Sequence, residues 1–158
     1  MTKQQTESAR RILKNAIREE LSVPIDLDDG YALCDGYRIV KTVENVALQK
    51  EDICNPYRNM VERTLEEAKS NTGKSIQAPT VKFLEDYIRA YRQEHKGETP
   101  IYEITEGVLV NAYYLKDIVT ILKHSVIRFS GDRDIRFKII YFESPSGMGA
   151  LLPVRRVG

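Results

Sequence analysis

The stretch Val110-Asn111-Ala112-Tyr113-Tyr114-Leu115-Lys116-Asp117-Ile118-Val119-Thr120-Ile121-Leu122 decides how this chain is read. Leu115, Ile118, Val119 and Leu122 recur at helical spacing, so Ala112 to Lys123 is predicted to be a helix with those four inward. Lys116, Thr120 and Lys123 fall on its outward side. Ile101 to Ile104 and Val108 to Val110 read as extended pieces before it. Three strands follow it: Ser125 to Phe129, Asp134 to Phe142 and Met148 to Val154. Ser130-Gly131-Asp132-Arg133 and Ser144-Pro145-Ser146-Gly147 separate them as turns. His124, at the end of the helix, suits a cap, where an imidazolium favours the dipole.

The front of the chain repeats this order. Ala9, Ile12, Leu13, Ala16, Ile17 and Leu21 predict a helix that Pro24 stops, with Ser8 or Thr6 as its cap. Arg10, Lys14 and Arg18, four residues apart, stack on its polar side with Arg11 beside them. Val23 to Leu27, Tyr31 to Cys34 and Tyr37 to Val43 read as strands around Asp28-Asp29-Gly30 and Asp35-Gly36. The middle differs. Tyr57 to Lys69 and the residues after Pro79-Thr80 read as helices flanking a short extended piece, Ser75 to Ala78. The prediction is an α+β fold of two helix-plus-strands halves, sheet-backed, in one domain spanning 1–158 with a helical insertion at about 55–97.

Composition bounds the function. The chain has 158 residues, 42% apolar and 30% charged, enough for a core without cross-links. Its longest apolar run falls well short of the ~18 residues that a membrane span needs. Met1 to Arg11 is polar and unlike a signal peptide, so a cytoplasmic location without membrane partners is expected. The net charge is +1, with both ends basic and residues 22–60 and 97–114 acidic.

No chemistry-bearing constellation assembles. Cys34 and Cys54 lack CxxC spacing and are expected to be buried or half-buried thiols, and His95 and His124 stand far from both. Asp26, Asp28 and Asp29 lack calcium-loop spacing and read as an acidic hairpin turn. Gly73-Lys74-Ser75 ends like a phosphate-binding loop, but Ala68 stands where that motif needs glycine. No catalytic residue, metal or cofactor is expected. Tyr87 and Tyr91, on the stripe of the second inserted helix, are expected in the core or at a contact between copies.

The quoted stretch resembles the helix of the C-terminal domain of the bacterial sliding DNA clamp, the DNA polymerase III beta subunit, typically FNxxYLLDxLKxL. Leu151-Leu152-Pro153-Val154-Arg155 is similar to that family's terminal MPMRL, and Cys34-Asp35-Gly36-Tyr37-Arg38-Ile39 to its TDGHRL segment. The likeness covers residues 101–156 well, 8–43 moderately and the middle poorly. It extends to small clamp-like proteins of bacteriophages and prophages.

The resemblance implies a non-enzymatic accessory protein of DNA replication. On it, Arg10, Arg11, Lys14, Arg18, Lys116 and Lys123 would contact the phosphates of double-stranded DNA by charge alone. The plain alternative is a solvated polar face. The family's pocket for short linear motifs of replication proteins would map to Gly36, Tyr37, Arg38 and Ile39 with Leu152, Pro153, Val154 and Arg155. In clamps those segments belong to neighbouring domains, so this chain would need a homo-oligomer or a changed arrangement to unite them. The inserted helices would decorate one face or block the edge through which clamp domains join. A protein–protein interaction module without DNA binding stays open as the alternative.

Overall fold

A computed structural model describes residues 1–43, 55–70, 73–129 and 138–154. The chain opens with helix α1 (Lys3–Lys14), which Thr2 caps. Thr2 Oγ accepts from Gln5 N and the Gln5 side chain accepts from Thr2 N, a reciprocal capping box. The helix therefore starts before Thr6 and Ser8, and Ser8 lies buried within it. It also ends at Lys14, not at Leu21. A separate 3₁₀ turn, Glu19–Leu21, follows, and Arg18 precedes that turn outside α1. The early stop has a packing cause. Ala9, Ile12 and Leu13 enter one core cluster, whereas Leu21 enters another, with Ala16 packed against it.

Strands β1 (Ile25–Leu27), β2 (Gly30–Cys34) and β3 (Arg38–Thr42) complete the first half. The second half runs through helix α4 (Ala112–Ile121) and strands β7 (Val126–Phe129), β8 (Ile140–Ser144) and β9 (Gly147–Leu151). The predicted start of β8, residues 134–137, lies outside the described residues, as do the turn at 130–133 and Cys54. Between the halves come helix α2 (Arg58–Ser70), strand β4 (Lys74–Gln77), helix α3 (Val81–Glu94) and the hairpin β5 (Ile101–Thr105)–β6 (Val108–Asn111).

Among the described residues, seven strands form one sheet in the order β1-β2-β3-β9-β8-β7-β4, with every neighbouring pair antiparallel. The halves meet in the middle, where β3 pairs with β9 and Arg38 stands opposite Leu151. Alternation along the strands feeds both faces of the sheet. Leu33, Val40, Ile140, Phe142 and Leu151 point to the face that α1 and α4 cover, together with Leu84 of α3. Ala32, Cys34, Ile39, Tyr141 and Ala150 point to the other, under Val61, Leu65 and Ala68 of α2. Helices α1 and α4 thus share a side and pack on one another, and α3 lies against α4.

Helix α2 covers a sheet face, and β4 takes the outer edge of β7. Tyr87 Oη donates to the Ile101 carbonyl, and its ring stands edge-on to Tyr102 at 5.2 Å. No helix among the described residues is long and apolar enough to cross a membrane.

A candidate peptide cleft and the charges beneath it

The turn between β2 and β3 is built around Asp35, which is fully buried. Its Oδ1 accepts from the backbone N–H groups of Tyr37 (2.8 Å) and Arg38 (2.9 Å). Its Oδ2 accepts from Arg38 Nε at 2.9 Å. Gly36 takes a left-handed φ of +104°, and a Cβ there would lie 2.4 Å from Cδ1 of Ile17. Ile17 lies across this turn, and its N–H donates to the Asp35 carbonyl.

Arg38 points to the α1–α4 side of the sheet and is buried. Its Nη1 donates to Asp117 Oδ2 at 3.0 Å, and its guanidinium carbon sits 4.3 Å from the centre of the Tyr114 ring. Asp117 also receives Arg11 through Nε at 3.0 Å and Nη2 at 2.8 Å. Two carboxylates and two guanidiniums therefore neutralise one another where β3 meets α1 and α4. Tyr37 stacks on Tyr114, with ring centres 6.2 Å apart, so this network also holds the Tyr37 ring.

Leu152 N–H donates to the Tyr37 carbonyl at 2.9 Å, carrying the β3–β9 pairing past the end of β9. The result is a cleft of about 220 Å³ on the α2 side of the sheet. Cys34, Gly36, Tyr37, Arg38 and Ile39 line it from the front of the chain, and Ala150, Leu151 and Leu152 from the end. Met60 and Thr64 of α2 and Ile139 close it. Its surface is mostly apolar, and Tyr37, Met60 and Leu152 at the rim are each exposed beyond a third. Burial pushes the Cys34 thiol above its ordinary range and keeps it protonated.

The chain matches no known protein-family model and no curated protein.

The two segments, expected to meet only through a second molecule or a changed arrangement, line one cleft within a single copy. Gly36, Tyr37, Arg38, Ile39 and Leu152 line one cleft. Pro153 and Val154 are half-buried beyond it, and Val154 N–H donates to the Leu109 carbonyl. Arg155 lies outside the described residues. Arg38 is a buried structural cation there. Met60, Thr64 and Ile139 escaped the sequence reading, because the amphipathic pattern of α2 does not say which strand ends it will overhang.

The six candidate phosphate contacts differ in their surroundings. Arg10 and Lys14 are exposed on α1. Arg11 is engaged by Asp117, which is buried. Arg18 stands off the helix. Lys116 faces Glu85 of α3 at 3.8 Å, and Lys123 is exposed beyond the end of α4. Leu122 is the C-cap of α4, its N–H donating to the Ile118 carbonyl, and His124, expected as the cap, lies two residues beyond with a φ of +56°. No group of three metal-ligating side chains occurs among the described residues.

Proposed function

We propose that this protein is a non-enzymatic, clamp-like accessory factor of DNA replication that works by docking a short apolar segment of a replication protein. The observation that carries this reading is the convergence of the Gly36–Ile39 and Leu151–Leu152 segments on one apolar cleft, with α2 as the far wall. At about 220 Å³ the cleft falls below the roughly 300–1,000 Å³ of pockets that enclose drug-sized ligands. It admits an aliphatic or aromatic side chain or two, which suits an anchor on a peptide. The exposed rim of Tyr37, Met60 and Leu152 offers apolar surface for the rest of such a segment.

The clamp resemblance supplies the replication context, and the order of two helix-plus-three-strand halves around a β3–β9 seam supports it. The insertion favours action by a single copy. Strand β4 occupies the β7 edge, and the outermost strands, β1 and β4, have only three and four residues. Short edge strands make poor seams for pairing with another chain.

The test is a fluorescence-anisotropy titration with a labelled octapeptide carrying a leucine–phenylalanine pair, against the same peptide with both replaced by alanine. Saturable binding of the first, lost on Leu152→Glu or Met60→Glu, supports the proposal. Both side chains are partly exposed, so these variants keep the fold. Equal binding of the two peptides, or indifference to both substitutions, refutes it.

A further inference from the structure

A second surface lies on the other side of the sheet, between α3 and α4. Glu85, Ile88, Arg89 and Arg92 fall on one flank of α3, with Lys96 just beyond its C-terminal end, and this flank faces Tyr113 and Lys116 of α4. They line an open groove of about 610 Å³. Four of its side chains are cationic and only Glu85 is acidic. Arg92 and Lys96 are exposed, Arg89 is shared with Asp86 at 3.3 Å, and Lys116 meets Glu85 at a loose 3.8 Å. The opposite face of the molecule has the reverse polarity: Asp28, Asp29, Glu62 and Glu66 gather there around Lys41 and Lys69. The lining of the α3–α4 groove is therefore net cationic, in contrast to that acidic cluster.

We propose that this groove binds single-stranded nucleic acid. Phosphates spaced along a strand can meet Arg89 and Arg92, about one helical turn apart on α3, and Lys96 beyond its end, and the contact is sequence-independent. The choice of a single strand rests on Tyr113. Tyr113 is 39% exposed and lines the groove, where its ring can offer a face to an unstacked base. A duplex keeps its bases stacked on each other and presents no such face. The groove shares no lining residue with the apolar cleft and stands or falls independently of it.

The probe is a fluorescein-labelled twenty-residue oligothymidylate, with a duplex of equal length beside it. Binding is expected at 50 mM salt and should weaken about 20-fold at 200 mM if roughly three cations engage phosphates. Arg92→Glu with Lys96→Glu should cost at least tenfold, Arg92→Gln with Lys96→Gln somewhat less, and Tyr113→Ala several-fold on the single strand alone. Arg63→Glu, exposed on α2 across the sheet, should change nothing. Circular dichroism checks that each variant is folded. Four results would overturn the inference: no binding at 50 mM salt, an equal loss from Arg63→Glu, a duplex bound as tightly with Tyr113→Ala silent, or stronger binding to phosphatidylserine vesicles or polyglutamate.

Discussion

Replacing Arg38 with methionine separates a buried charge network from a surface one. The Arg38 side chain is inaccessible to water, as is that of Asp35. Loss of the guanidinium leaves Asp35 Oδ2 without its partner at 2.9 Å, while Oδ1 keeps two backbone N–H groups. Asp117 fares better, because Arg11 still reaches it at 2.8 Å. Removing one member of a buried pair costs about 3–5 kcal/mol. Arg38 Nη2 has no hydrogen-bond partner among the described residues, so methionine also removes one unsatisfied group and holds the cost to about 3 kcal/mol. Arg11→Met is the control. That side chain is half exposed and Asp117 keeps Arg38, so about 0–1 kcal/mol is expected. In urea, with a slope of about 2 kcal/mol/M, Arg38→Met should lower the midpoint by about 1.5 M and Arg11→Met by less than about 0.5 M. Because the network holds Tyr37 at the cleft rim, the Arg38 variant should also lose peptide affinity under conditions where it is folded. Equal midpoints for the two variants would refute the reasoning.

Gly36→Ala should destabilise by about 1–3 kcal/mol in the same assay, since φ is +104° and the new methyl meets Ile17. Ile17→Ala in that background should recover only the steric part. Thr2→Ala removes the oxygen that accepts from Gln5 and should cost about 1 kcal/mol, seen as fraying of α1 by amide exchange. Stability should also fall in alkali. Burial raises the folded pKa of Cys34 above 9.0 and, as the largest cause, those of Tyr102, Tyr114 and Tyr141 above 10.0. The folded protein then holds protons that the unfolded chain releases, so this stability is complete below pH 9 and declines as pH rises through those values. A urea midpoint as high at pH 10.5 as at pH 8 would contradict it.

Much of the fold is legible because the strands and the α4 helix carry clean periods. Leu115, Ile118 and Leu122 enter the core as their spacing demands, and α2, β4 and α3 fall within a few residues of their predicted places. The first helix misleads for a physical reason. Leu21 continues a helical spacing while serving the core on the far side of the sheet, so two separate contacts mimic one stripe. The cleft was half legible. Each of its two segments stands out, but their meeting depends on the β3–β9 pairing, a contact between residues more than a hundred apart. The charges beneath it were hidden altogether. Asp35, Arg38 and Asp117 look like surface residues in a sequence, and only their mutual neutralisation makes burial tolerable. Nor does an amphipathic α2 reveal that Met60 will form a wall.

The chain has three methionines, and only Met60 lines the cleft. Met148 borders the acidic face and Met1 packs beside the core under α1 and α4. Labelling the methionine methyl groups and titrating the leucine–phenylalanine octapeptide by NMR therefore reads the site directly. The Met60 resonance should move and saturate while those of Met1 and Met148 stay in place. A Met60 signal that stays fixed while the others move, or that never responds, would contradict peptide docking in this cleft.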